Sequence, residues 1–248
     1  MTAFALHPAL ASRVAAIDLV ASRGEQLVLP STSVVLGVQL RGRVRAGDAL
    51  LSTAGVTGIQ DRARRYVYVG DTASILVRFT AQGASSLGVP VAELSRRSVA
   101  LDALLPAPVL RRAHDQLADA RDATARVAIV QSLLLQLPFA EDRLVAQALR
   151  QLDQPSLGDA GVAHVARTLG VSERQLERRF SARVGVTPKS WATLRRFERA
   201  LALAASAPDA PLTSVALDAG YYDQSHFIRD VQRRAGQPPG ALLRRGAR

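Results

Sequence analysis

Apolar residues recur with a short period in the front of this chain and a helical period behind it. Over residues 26–79 they come in brief runs rich in β-branched residues and glycine: 26–29, 33–40, 48–52, 56–60, 65–69 and 74–79. Breaks at Gly42, Gly47, Gly55, Gly58, Gly70 and Gly83 separate them. Six short runs at this spacing predict the strands of a small sandwich or barrel. In one of them Val67 and Val69 alternate with Tyr66 and Tyr68, which gives one aliphatic and one aromatic face.

After Pro106-Ala107-Pro108 the period lengthens. Leu110, Ala113 and Leu117 mark one helix. Val127, Val130, Leu134 and Leu137 mark a second, ended by Pro138, and a third spans 141–152. These helices either cover an open face of the barrel or form a dimer contact. Residues 154–160, opening Gln-Pro-Ser-Leu-Gly, read as a linker. The expected organisation is a β-rich domain at 1–105, a helical segment at 106–153, the linker, and an all-α domain at 161–248. The fold class is therefore α+β with two domains.

The all-α part repeats itself. Residues 162–188, VAHVARTLGVSERQLERRFSARVGVTP, can be laid over 212–239, LTSVALDAGYYDQSHFIRDVQRRAGQPP. At an offset of fifty, Val165 falls on Val215, Ala166 on Ala216 and Gly170 on Gly220. One residue is inserted after that glycine. At fifty-one, Ser172 falls on Asp223, Leu176 on Phe227, Phe180 on Val231, Gly185 on Gly236 and Pro188 on Pro239. Each copy reads as a short helix, a glycine turn and a second helix opened by an N-cap. That is the helix-turn-helix pattern, whose second helix enters the DNA major groove. Ser172 with Gln175 three residues on makes a capping box. Leu176 and Phe180, like Phe227 and Val231, face inward. Between the copies, Thr187 and Pro188 open a long helix to about Ser206, with Trp191, Leu194, Leu201 and Ala204 on its apolar face. Its eighteen or so residues make a rod of roughly 27 Å.

Charge follows the same division. The chain has 32 basic and 21 acidic residues, a net +11. From Pro155 onward there are 15 basic and 8 acidic residues, against 17 and 13 before it. The excess sits where phosphate contact requires it. Without cysteine the chain offers no thiolate metal site, disulfide or cysteine nucleophile. No stretch approaches the 18 or so apolar residues of a membrane span and no signal segment opens the chain, so a soluble, cytoplasmic protein without membrane contact is expected.

The C-terminal pattern resembles the AraC/XylS family of bacterial transcription regulators. The resemblance covers roughly 160–245 and is carried above all by GYYDQSHFIRDVQRRAGQPPGALLR at 220–244. It implies sequence-specific binding to double-stranded promoter or operator DNA, and RNA polymerase as a partner. Position by position it puts Arg174, Glu177 and Arg178 on the first recognition helix, and Gln224, Ser225 and Arg229 on the second. Arg233 and Arg234 fall in the family's basic run. Val231 stands where the family usually has phenylalanine, Glu177 is an acid at a DNA-facing position, and Gln237-Pro238 replaces a commoner small-residue start. The β-rich part, from GVTGIQDRARRYVYVGDTASILVRFTAQGASSLGVP, resembles the cupin-like sensory domain of some such regulators. That implies a small-molecule effector, and the dimer contact that helices after the sensory domain make in the family implies a homodimer.

Two other readings compete with a ligand-responsive regulator. One is a constitutive DNA-binding protein whose front domain only dimerises or contacts polymerase. The other is a cupin-type enzyme fused to a regulator. Cupin metal sites need clustered histidines, but His7, His114, His164 and His226 all lie outside 26–79. Asp223, Ser225 and His226 sit within one helical turn, which gives no catalytic-triad geometry. No enzyme activity, cofactor or metal is expected.

Overall fold

The computed structural model describes residues 2–154 and 161–246, the last four by backbone alone. The expected linker therefore lies, beyond Gln154, outside the described residues. The front of the chain forms one antiparallel sheet: β1 (Thr2–Ala3), β2 (Val14–Val28), β3 (Val35–Ala46), β4 (Ala49–Leu50), β5 (Ala54–Thr57), β6 (Arg64–Phe79) and β7 (Ser98–Ala100). The strand order is β1-β2-β6-β3-β5-β7, with β4 paired to β3.

Strand lengths differ from the sequence expectation for one physical reason. β2 begins at Val14 rather than near 26, the runs 65–69 and 74–79 are a single β6, and β3 passes straight through Gly42. Each of these strands bends at a glycine of positive φ, Gly24, Gly42 or Gly70. The ladders shift register near these bends, between Ser22 and Gly24 and on both sides of Arg41. Such a glycine looks like a turn in sequence but is a kink within a strand. At Gly42 nothing else fits, since a Cβ would lie 2.5 Å from Thr72 Cγ2.

Alternation along the strands separates two faces. Ile17, Leu36, Ile75, Val77 and Phe79 are buried on one of them, in a core completed by short 3-10 turns. Three helices follow the sheet, α1 (Ala107–Asp119), α2 (Ala123–Gln136) and α3 (Arg143–Leu152). α2 buries Val127, Val130 and Leu134, and Arg13 donates to the carbonyls of Leu134 and Leu137 at 3.0 and 2.8 Å. So α2 is a cover for the sheet. α1 is different: none of its residues is buried, and Leu110, Ala113 and Leu117 are half-buried.

Six helices complete the fold: α4 (Gly161–Thr168), α5 (Glu173–Val184), α6 (Pro188–Ser206), α7 (Leu212–Ala219), α8 (Gln224–Ala235) and α9 (Pro239–Gly246). Val145, Ala148 and Leu152 of α3 join their core, so the buried apolar residues of both halves form one cluster. Among the described residues no helix is long and apolar enough to cross a membrane.

Candidate nucleic-acid interface

The repeat seen in sequence is a repeat in backbone geometry. α4–α5 and α7–α8 are two helix-turn-helix units, and α6 spans the distance between them. Gly170 and Gly220 end the first helices at φ +68 and +92, a conformation that a side chain would strain. Gly185 and Gly236 end the second helices at φ +93 and +71. The caps also match in role. Ser172 Oγ accepts from the Gln175 N–H at 3.2 Å while Gln175 Oε1 accepts from the Ser172 N–H at 3.0 Å, which satisfies two otherwise orphaned donors. Asp223 accepts from the His226 N–H at 2.6 Å.

The inward positions pair as the alignment requires. Val165 and Val215, Ala166 and Ala216, Leu176 and Phe227, and Phe180 and Val231 are all buried. Val184 and Ala235 extend the pairing by another turn. Trp191 is a core anchor of α6, packed edge-on against Phe180 at 6.2 Å. Thr187 caps α6 through the Ser190 N–H at 3.2 Å, with Pro188 in its first turn. At 19 residues α6 is about 28 Å long.

The outward positions are solvent-facing. Arg174, Glu177 and Arg178 are exposed on α5, and Ser225 and Arg229 on α8. Gln224 is half-buried, because its Oε1 accepts from the Thr213 hydroxyl of α7 at 2.6 Å. Arg233 stays half-exposed while donating to Asp230 one turn back. His226 packs on Tyr221 at 5.1 Å, not against a nucleophile.

Arg234 departs from the basic run. It is 4% exposed, and its Nε lies 3.0 Å from both oxygens of Asp230. The Tyr221 hydroxyl donates to the same carboxylate at 2.9 Å. Burial pushes the Asp230 carboxyl up, but the hydrogen bond from Arg233, the charge and hydrogen bond of Arg234, and the Tyr221 hydroxyl outweigh it. The group is held below its ordinary value. Burial first, then the Asp230 charge beside it, pushes the Tyr221 phenol well up, so it stays a neutral donor. Arg234 also donates to Thr193 Oγ1 at 3.2 Å and lies over the Phe197 ring at 5.7 Å, tying α8 to α6. The signal was present in the sequence: Asp230 stands four residues before Arg234, the spacing of an ion pair on one helix face.

The C-terminal half is docked on the front half through polar contacts as well as the shared apolar core. Arg179 of α5 forks onto Asp142 at 2.9–3.1 Å, and Asp142 itself caps α3. Arg195 of α6 donates to both oxygens of Asp153 at 2.7 and 3.2 Å.

The free face of the sheet carries a cavity of about 550 Å³. Its walls mix aliphatic residues such as Val44, Leu50 and Leu76 with serine and threonine hydroxyls, and carry Tyr66 and Tyr68 from the aromatic face of β6. Burial raises the Tyr68 phenol, so it too stays a neutral donor. Two guanidiniums, Arg64 and Arg78, line it, and among the described residues no carboxylate does. Arg78 is paired with the buried Asp18 at 2.7 Å. Arg64 meets the Ser98 hydroxyl at 2.9 Å and the Tyr66 ring at 5.8 Å, and neither carries a charge.

The chain is similar to several solved structures and to one family model. No curated protein matches the chain by sequence. Among solved structures, apo ToxT from Vibrio cholerae strain SCE256 is 10% identical with a TM-score of 0.49, covering 94% of this chain and 97% of its own. ToxT from Vibrio cholerae O395 bound to (E)-4-(8-methylnaphthalen-1-yl)but-3-enoic acid is 9% identical with a TM-score of 0.49, covering 92% and 97%. The AraC-like transcriptional activator CuxR is 17% identical with a TM-score of 0.25, covering 74% and 76%. At such distances no residue of this chain takes a role from these proteins. The family model of a helix-turn-helix domain matches residues 165–245, which span both units and α6. The C-terminal third of this chain is an AraC-type helix-turn-helix domain.

Proposed function

We propose that the protein is a transcription regulator that binds double-stranded DNA through α5 and α8 and responds to a small molecule held in the β-domain cavity. The observation that carries the first part is the duplicated unit, with matched caps, cores and turn glycines and with exposed side chains on both second helices. A 28 Å spacer and a groove repeat of about 34 Å let both helices face one side of a duplex, with some bending of the DNA. Arg174 and Arg229 are the residues in this reading that reach base edges or the adjacent phosphates. Replacing either by Ala is expected to cost roughly 1–3 kcal/mol of specific binding, read by gel shift on a selected duplex at fixed salt. Unchanged affinity in both variants would remove the assignment. Glu177, Arg178, Gln224, Ser225 and Arg233 are the supporting contacts of the same reading.

The second part rests on the cavity's charge. A chamber with aliphatic and hydroxyl-bearing walls, two guanidiniums and, among the described residues, no carboxylate suits a molecule with an apolar body and one anionic group, with Arg64 as the cation to meet it. 1-Anilinonaphthalene-8-sulfonate has that chemistry and reports binding by fluorescence. The full chain is expected to bind it saturably, and Arg64→Ala to weaken it at least tenfold; equal binding by the variant would contradict the anion assignment. The half-buried apolar row of α1 (Leu110, Ala113, Leu117) is the surface this reading gives to a homodimer contact.

A further inference from the structure

The cavity and the DNA-binding half share two stretches of backbone. In residues 28–35, Ser31 and Ser33 face the cavity. Thr32 between them turns the other way: its N–H and its hydroxyl donate to the Glu198 carboxylate of α6 at 2.7 and 2.8 Å. In residues 58–64, Gln60 and Arg64 line the cavity. Between them the Asp61 carbonyl accepts from the Arg234 guanidinium at 3.4 Å, and the Ala63 N–H donates to the Arg234 carbonyl at 2.6 Å. Both stretches bend where they meet the C-terminal half, at Thr32 and at Asp61–Arg62. Each stretch thus has residues that line the cavity and, beside them, residues that hydrogen-bond to a helix of the DNA-binding half.

Both contacts fall where they can change the relation between the two recognition helices. Glu198 is on the spacer α6 and is held there by Arg195 at 2.9 Å. Arg234 is in the last turn of α8, buried, and bound to Asp230 and to Thr193 of α6. The first unit is anchored elsewhere, by Arg179 on Asp142 and by the close approach of Gly185 to Val91, and none of these residues lines the cavity. A shift of the cavity wall thus acts on α6 and α8 while α5 stays tied to α3.

We infer that residues 28–35 and 58–64 form a two-sided clasp through which occupancy of the cavity sets the placement of α6 and α8, with Glu198 and Arg234 as the positioning residues on the DNA-binding side. This rests on the cavity being the ligand site proposed above. Coupling of this kind changes the second site's affinity by about 5- to 150-fold, because packed interfaces switch between discrete arrangements.

The test uses the full chain and a duplex selected by it. The cavity is filled in two ways: with saturating 1-anilinonaphthalene-8-sulfonate, and with the substitution Gly37→Phe. Gly37 lines the cavity from β3, and a Cβ there meets only Leu76 Cδ2 at 3.6 Å. Gly37→Leu replaces it if the phenylalanine prevents folding. Either filling is expected to change the duplex Kd by at least about fivefold. The clasp is opened by Glu198→Ala, which removes both acceptors of Thr32, or by Ala63→Pro, which removes the donor to Arg234. In those backgrounds the change should fall below twofold, with fluorophore affinity and thermal melting retained. A folded Gly37→Phe protein whose duplex Kd is unchanged, or shifts equally with and without Glu198, overturns the clasp. Failure of the fluorophore to bind overturns the ligand site instead, and leaves the Gly37 arm to decide the clasp.

Discussion

Phe227→Ala is expected to lower the stability of the DNA-binding half by about 3–5 kcal/mol, and Leu176→Ala by about 2–5 kcal/mol. Both side chains are fully buried at paired positions of the two units. Each loses its transfer free energy and leaves a cavity that close-packed neighbours fill only in part. Phe227 also loses its contact with the Tyr221 ring at 5.3 Å. Loss of either core should abolish DNA binding at temperatures where the parent still binds. A thermal melt of the full chain in which both variants match the parent would contradict the pairing of the two units.

Asp230→Ala should cost nearly as much, about 3 kcal/mol, because it strands a buried guanidinium. The value sits at the low end for a broken buried pair, since Thr193 and the Asp61 carbonyl still accept from Arg234. The effect carries a pH signature. The Asp230 carboxyl is held below its ordinary value in the folded chain. Its ionised form therefore contributes stability that is fully present above the unfolded value of about 3.9, and that is lost as pH falls through the folded value. The gap in melting temperature between parent and Asp230→Ala should be constant from pH 7 to about pH 5 and shrink below about pH 4. A gap that is absent at pH 7, or that widens on acidification, would mean the pair does not hold α8 in place.

What could be read from the sequence was what local chemistry decides. Ser172 and Gln175, three residues apart, are enough for a capping box, and Gly170 and Gly220 each close their own turn. The second-copy core at Phe227 and Val231 followed from helical spacing together with the alignment on Leu176 and Phe180. The strands were harder, because a glycine kink and a glycine turn look alike until pairing partners are known. Gly24 and Gly70 sit within the β2–β6 ladder, whose partners lie some fifty residues apart. Tyr66 and Tyr68 showed the two-faced pattern, yet which face lines a cavity depends on what covers the other. Arg234 was misplaced with the basic run because its context is tertiary: it lies under Thr193 and Asp61, although Asp230 four residues before it was a local hint. The docking of the two halves left no sequence trace, since Thr32 and Glu198 are 166 residues apart.

Two reading heads acting on one duplex are the centre of the proposed function. Selection of bound sequences from random duplexes by the full chain, followed by hydroxyl-radical footprinting of the winner, measures this directly. The prediction is an enriched site protected on one face over two successive major grooves. Arg174→Ala should relax base preference in one groove and Arg229→Ala in the other. Binding should weaken with salt at a log–log slope near −0.9 for each phosphate neutralised. Binding without sequence enrichment, or protection of one groove that only one of the two variants alters, would contradict it.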